Sequence, residues 1–291
     1  MLNTPDMKYH EVPASYDGKQ RLRAYLLGMF PALVTNSAVK KAISAGRVLV
    51  NGHPGTTGYV VQAGDTIRYE QPSASRVSLP PRKITVVYED EHLAVVDKPA
   101  GLVSSGSKAV TLANYLPWVL RQSQETDALP LPHLVHRLDK ATSGLIIVAK
   151  TNSCQMLLGH MLAGGAISKT YSAIVQGHLS KPVTITEPID GQHAVTEIIQ
   201  TEVLDTRDPC SRLMISLKTG RTHQIRRHLL YIGHPIVGDP LYNAEGLSFK
   251  TGLLLAAIQL TFVHPVTHEL MVLSIDLPYK LAKYSTKHSE I

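Results

Sequence analysis

In the segment HRLDKATSGL, His136 to Leu145, a single carboxylate, Asp139, stands between Arg137 and Lys140, and no further acid follows until Glu187. A lone carboxylate that is shielded from water and held by an arginine can attack an electrophilic carbon, accept a proton or stabilise an oxocarbenium-like sugar. All three roles point to chemistry at a glycosidic carbon. Taken alone, the same ten residues equally describe a local ion pair of Asp139 with Arg137 or Lys140, or an aspartate that only hydrogen-bonds the Thr142-Ser143 turn.

Other chemistries find less support. Fourteen histidines invite a metal, but His133 with His136, and His223 with His228, come without a nearby cysteine or carboxylate in an established zinc spacing, so surface or core positions are the better reading. TSGL and VSSGS lack the G-x-S-x-G elbow of a serine nucleophile. Neither G-x-G-x-x-G nor a Walker pattern occurs, which disfavours nucleotide-driven chemistry. The two cysteines, Cys154 and Cys210, form no paired or metal-type spacing, so a reducing compartment is expected. The N-terminal MLNTPDMKYHEV has no apolar signal core, and the longest mainly apolar run, Leu253 to Val263, is too short to span a bilayer. A cytoplasmic, monomeric protein is expected.

Asp139 must be placed by the elements around it. Thr142-Ser143-Gly144 reads as a turn into the apolar run Leu145 to Ala149, so the carboxylate sits on a loop entering a buried strand. ITVVYEDEHLAVVDKPAG, LIIVAK, TYSAIVQG, EIIQTEVLD and RLMISLKTG read as strands or strand pairs, and THQIRRHLLYIG as a helix. Many short strands, few helices and no regular βαβ repeat predict an α+β fold with a mixed, mostly antiparallel sheet. Upstream, KQRLRAYLLGMF reads as an amphipathic helix. In TNSAVKKAISAGRVLVNG, Asn36 or Ser37 caps a short helix, Gly46 stops it, Val48 and Val50 alternate as a strand, and Asn51-Gly52 turns the chain. The Pro/Ser-rich QPSASRVSLPPRK separates the regions, giving expected divisions at 1–72, a linker 73–83 and 84–291.

The net charge of +6 is modest, but no Asp or Glu occurs from Gly18 to Gly64, from Lys140 to Thr186 or from Pro209 to Gly238. Such tracts make positive surface and suit a polyanionic partner. The first carries Lys19, Arg21, Arg23, Lys40, Lys41 and Arg47.

Through RLRAYL, VKKAISAGRVLVNG and VQAGDTI, about Gly18 to Tyr69 resembles the small S-four-like RNA-binding domain. It departs at Arg23, where an acid is usual, and at Thr35-Asn36, where Ser-Arg is common. LVHRLDKATSGLIIVAKT resembles the signature of the RluA-like pseudouridine synthases, and EDEHLAVVDKPAGL, SKTYSAIVQG, GQHAVT, LKTGRTHQIRRHL, GHPIVGDPLY and LTFVHPVT follow the family's order over about Ile84 to Pro278. Ala141 and Ala256 depart from it, standing where an acid and a histidine are usual.

The resemblance implies an isomerase that converts uridine in RNA to pseudouridine without a cofactor or metal. Asp139 matches the family's essential aspartate, which either attacks C1′ or takes a proton from C2′; the sequence does not choose. Tyr171 matches the tyrosine that packs against the uracil, with a strand-core tyrosine as the alternative, and Arg221 the arginine that pairs with the aspartate, with a phosphate contact as the alternative. Arg137 is expected beside the extruded nucleotide, and Arg226 and Arg227 at phosphates or in solvent. Large-subunit ribosomal RNA is the favoured partner, tRNA the second. A non-catalytic RNA-binding factor, or a glycosidase with paired carboxylates, is the competing class.

Overall fold

The computed structural model describes residues 6–30, 32–33, 36–71, 82–106, 110–206, 208–243 and 252–284. The chain divides into two compact units, Met1–Ser78 and Leu79–Ile291. Most of the expected linker lies outside the described residues, as does Thr35.

In the smaller unit, strand β1 (Asp6–Glu11) is followed by helices α1 (Leu22–Tyr25) and α2 (Asn36–Ser44), then β2 (Val48–Val50), β3 (His53–Pro54) and β4 (Thr66–Gln71). The strands form one sheet in the order β1-β4-β2-β3. Gly46, at φ 68°, ends α2 as expected, with the Arg47 amide returning to the Ala42 carbonyl. Asn51 and Gly52, at φ 51° and 81°, make the turn between β2 and β3, the conformation that asparagine and glycine tolerate. The helix expected over Lys19 to Phe30 is only the single turn α1. Gly28, at φ 78°, breaks it, and its amide bonds the Leu33 carbonyl instead of continuing the helix. Asp65 of VQAGDTI is a buried hub, accepting from Asn51 Nδ2 at 2.7 Å, the Gln62 amide at 2.8 Å and the Tyr59 hydroxyl.

The larger unit is the expected α+β architecture. Its strands are β5 (Thr85–Glu89), β6 (Leu93–Lys98), β7 (Ala128–Leu134), β8 (Ser143–Thr151), β9 (Ser168–Gln176), β10 (Val183–Ile185), β11 (Thr196–Leu204), β12 (Cys210–Leu217), β13 (Leu255–Val263) and β14 (Leu270–Ser274). They build one sheet, ordered β10-β11-β12-β9-β13-β8-β6-β5, with β14 on β13 and β7 on β8. Helices α3 (Leu112–Val119), α4 (Asn152–Ala163), α5 (Gln224–Tyr231) and α6 (Tyr279–Tyr284) flank it. From Gly144 to Thr151 every residue of β8 is buried. Leu145, Ile147 and Ala149 pack with Cys154 and Leu158 of α4, while Ile146 and Val148 pack with Leu112 and Leu116 of α3. Burial on both faces is why LIIVA is continuously apolar rather than alternating. Among the described residues no helix is long and apolar enough to cross a membrane.

Among the described residues all strand pairs are antiparallel except one short parallel contact, Ser143 with Ala256 and Gly144 with Ala257. Ala257 also pairs Tyr171 of β9, and Tyr171 pairs Ile215 of β12. Gly144, Ala257, Tyr171 and Ile215 thus form one row across four strands, five residues beyond Asp139. The row depends on a missing side chain. Gly144 has φ 116°, and a Cβ there would lie 2.1 Å from the Ala257 carbonyl oxygen. Gly144→Ala is therefore expected to destabilise the larger unit by about 3 kcal/mol, combining backbone strain with overpacking against a main chain that cannot move aside. Chemical denaturation followed by circular dichroism checks this, and wild-type stability in the alanine variant would contradict it.

Candidate active site

The loop between β7 and β8 is tied down on both sides of Asp139. Before it, the Ser104 hydroxyl donates to the Leu138 carbonyl at 2.7 Å and accepts from the Leu138 amide at 3.1 Å. After it, the Gly101 amide donates to the Lys140 carbonyl at 2.7 Å, and the Thr142 amide turns back to the Asp139 carbonyl at 3.2 Å. The clamp is the segment 98–104, itself held by fully buried Lys98, whose ammonium donates to the carbonyls of Pro99 (3.1 Å) and Leu102 (3.0 Å). Burial lowers the Lys98 pKa to about 8, with the nearby charges of Asp139 and Asp97 acting in the opposite direction. On the same loop the His136 ring accepts the Ile147 amide at Nε2 (3.1 Å). Desolvation of the imidazole, with Lys169 nearby, lowers its pKa to about 3, so it stays a neutral acceptor.

Asp139 opens into a pocket of about 230 Å³ lined also by His136, Arg137, Lys169, Tyr171, Arg221 and His223. This is small against the roughly 300–1,000 Å³ of sites for drug-sized ligands. Tyr171 is buried in the wall, and burial first, then the Asp139 charge, raise its pKa. Burial likewise lowers the pKa of Lys169, two residues earlier on β9.

The guanidinium paired with Asp139 is that of Arg226, not Arg221. Arg226 Nη1 lies 3.5 Å from Asp139 Oδ2, while Arg221 is exposed at the pocket with its Nε donating to the His193 carbonyl at 3.0 Å. The expectation that Arg226 contacts phosphate also fails. It is 3% exposed and gives two hydrogen bonds of 2.7 Å to Asp239, which is fully buried. The reason is helical phase: Arg226, in the first turn of α5, faces inward, whereas Arg221 lies on the preceding turn. Gln224 holds that turn, accepting from Thr219 Oγ1 (2.8 Å) and the Arg221 amide (3.0 Å), and donating to Val195 O and Thr196 Oγ1.

Arg227 pairs with Asp190 on the surface, both oxygens at 3.0 Å. Arg137 is exposed at the pocket. In the smaller unit Lys19, Arg21, Arg23, Lys40 and Lys41 are exposed and Arg47 half-buried. The histidine missed by sequence reasoning is His223, which is neither core nor free surface: its Nε2 is 3.8 Å from Asp139 Oδ1 and its Nδ1 is 3.0 Å from the Tyr242 hydroxyl. His228, by contrast, is buried, bonding Thr196 Oγ1 and the Glu187 carbonyl. Of the two departures from the family pattern, Ala256 is buried in the β13 core and Ala141 packs at its margin.

A carboxylate at a small pocket of a mixed sheet, in a chain that also carries a basic small unit, fits an RNA-modifying isomerase of the pseudouridine synthase class. Residues 92–231 match the model for RNA pseudouridylate synthase, and residues 33–67 match the S4 domain. The chain is 33% identical to ribosomal large subunit pseudouridine synthase D of Xanthomonas campestris, over 94% of this chain and 89% of that one. It is 34% identical to the Bacillus subtilis protein named uncharacterized RNA pseudouridine synthase YlyB, over 86% and 88%. Among solved structures, human RNA pseudouridylate synthase domain containing 4 superposes with a TM-score of 0.54 at 25% identity, covering 68% of this chain and 90% of that one. The chain belongs to the RluA-like RNA pseudouridine synthases and carries an N-terminal S4 RNA-binding domain.

Arg226 and Asp239 also govern stability. Burial would raise the Asp239 pKa, but the hydrogen bonds and charge of Arg226, together with the amides of Leu241 and Tyr242, hold it below the usual carboxylate range. A depressed folded pKa contributes stability that is present above the unfolded value, about pH 4, and lost as pH falls through the folded value. Asp239→Asn should cost about 3 to 5 kcal/mol at neutral pH, because it leaves a buried guanidinium short of its partner. Its stability should also fall less steeply than wild type on acidification below about pH 4, which denaturant melts across roughly pH 2.5 to 7 will measure.

Proposed function

We propose that this enzyme isomerises uridine in structured large-subunit ribosomal RNA, with Asp139 as the reacting group. The observation that carries the catalytic reading is the position of Asp139: clamped on both sides, open to the pocket, and only partly neutralised by Arg226 at 3.5 Å. The RNA target is inferred from relatives named ribosomal large subunit pseudouridine synthase D, at 33 to 35% identity.

The target nucleotide must leave its helix to bring C1′ within reach of a carboxylate on a pocket floor. Asp139 attacks C1′ or removes the C2′ proton as the bond from C1′ to N1 breaks; the uracil turns, and C1′ bonds to carbon 5 as the Asp139 ester is displaced or the C2′ proton is returned, after which the carbon 5 proton is lost and N1 gains one. In either route Asp139 is a free carboxylate again by the time carbon 5 is deprotonated. The Asp139 charge is one of the two influences that hold Tyr171 protonated. The Tyr171 ring packs against the uracil. Arg137 and Arg221, exposed at the pocket, are placed to hold the opened strand.

Asp139→Asn keeps shape and hydrogen bonding while removing the charge. It should lose at least about 10³-fold in turnover while RNA affinity stays within about twofold, a loss consistent with removing a nucleophile or base. Mass-spectrometric detection of pseudouridine in a ribosomal RNA fragment measures it, and substantial turnover by a folded variant would sink the assignment.

Deleting residues 1–72 should weaken RNA binding and relax site selection while leaving chemistry on a short saturating stem-loop nearly unchanged. The larger unit has its own core, and the six Lys and Arg residues of the acid-free tract Gly18 to Gly64 then no longer reach phosphate. The slope of log affinity against log salt should become shallower by about 0.7 to 0.9 for each phosphate that the truncated protein leaves unneutralised. An unchanged slope and affinity would refute a phosphate-binding role for these residues.

A further inference from the structure

We propose that His223 is a positioning residue for the Asp139 carboxylate, its ring held in one orientation by Tyr242. The inference rests on the reading of Asp139 as the reacting group. His223 occupies the N-cap of α5 in the left-handed conformation, φ 54° and ψ 26°, and its side chain makes no capping hydrogen bond. A non-glycine residue held there stores backbone strain that the surrounding structure must over-determine, and capping is not what it gains. Its ring turns to the pocket instead, with Nε2 3.8 Å from Asp139 Oδ1.

The other face of the site supports this orientation. Tyr242 meets the imidazole edge-on, ring centroids 5.7 Å apart at 80°, and its hydroxyl lies 3.0 Å from Nδ1. Tyr242 is itself fixed from two sides: its amide donates to Asp239 Oδ1 at 3.1 Å, and the Arg226 guanidinium lies over its ring at 4.9 Å. With the Tyr242 O–H donating into Nδ1, the ring proton resides on Nε2 and faces Asp139. The two oxygens of Asp139 are thereby treated differently. Oδ2 faces the Arg226 guanidinium and Oδ1 an imidazole N–H, both oriented from the segment Asp239–Tyr242. At 3.8 Å the His223 contact is longer than a hydrogen bond, as contacts to reacting groups often are before substrate closes the site. When the extruded nucleotide fills the pocket, this N–H directs the carboxylate toward the sugar.

The test uses the full-length enzyme in single-turnover assays on a ribosomal RNA fragment. His223→Asn is the informative variant, because asparagine accepts the left-handed conformation yet is too short to reach Asp139. His223→Gln restores an N–H near the position of Nε2. Tyr242→Phe keeps the ring under Arg226 and removes only the hydroxyl. His223→Asn should slow the chemical step by about tenfold or more, the scale expected for a misplaced reacting group, with KM within about twofold. Gln should recover most of that loss. Because the Tyr242 hydroxyl acts through the imidazole, the double variant His223→Asn/Tyr242→Phe should be no slower than His223→Asn alone. Full-rate turnover by a folded His223→Asn enzyme, or multiplying losses in the double variant, would overturn the inference. If asparagine prevents folding, Tyr242→Phe decides it: a full-rate chemical step would overturn it, and a slower one with unchanged KM supports it. An active Asp139→Asn enzyme would overturn the reading of Asp139 and this inference together, whereas an inactive one beside full-rate His223→Asn overturns this inference alone.

Discussion

The approach of β8 to β13 at Gly144 and Ala257 is the constraint on which the larger unit depends. With no side chain at 144, the two backbones pair in parallel at this point, and the row from Gly144 through Ala257 and Tyr171 to Ile215 can form. That row sets the distance between the loop carrying Asp139 and the strand carrying Tyr171. Because β12 ends just past Ile215, it also delivers the turn before α5 to the same end of the sheet. Elements far apart in sequence thus share one small pocket, with main-chain hydrogen bonds rather than flexible side chains setting its dimensions.

Within that frame the electrostatics are asymmetric. Arg226 is buried between two carboxylates and gives its short bonds to Asp239, at 2.7 Å, leaving only a 3.5 Å contact for Asp139. A tightly bonded Asp139 would have its lone pairs occupied and its basicity suppressed. A wholly unpaired one would be costly to keep ionised in a half-enclosed pocket. Arg226 thus binds one carboxylate tightly and the other loosely. Asp239 therefore acts on the site without touching the pocket.

Positive charge is distributed differently in the two units. In the larger unit the cations beside the pocket are few and individually placed, whereas five exposed Lys and Arg residues of the S4 domain surround its two short helices in a tract free of acids. The first arrangement suits holding one opened nucleotide. The second suits screened, many-point attraction to a folded polyanion.

Much of this was legible in the residues themselves. Asp139 is conspicuous because its neighbours are basic and the next acid is remote; Gly46 and Asn51-Gly52 mark a helix end and a turn because few other residues adopt their backbone angles; and LIIVA declares a strand buried on both faces. These are local properties, set by side-chain chemistry and the conformations each residue tolerates. What the residues alone misplace are directions. The family resemblance favours Arg221 over Arg226 as the partner of Asp139, and the residues leave His223 among the unassigned histidines and extend α1 past Gly28. Each outcome depends on contacts from distant segments: the phase of α5 against the sheet, the buried Asp239 arriving 13 residues later, and the Tyr242 hydroxyl that orients an imidazole. A residue's type determines what it can do, but which way it points is decided by the surfaces that pack against it, and those exist only once the chain has folded.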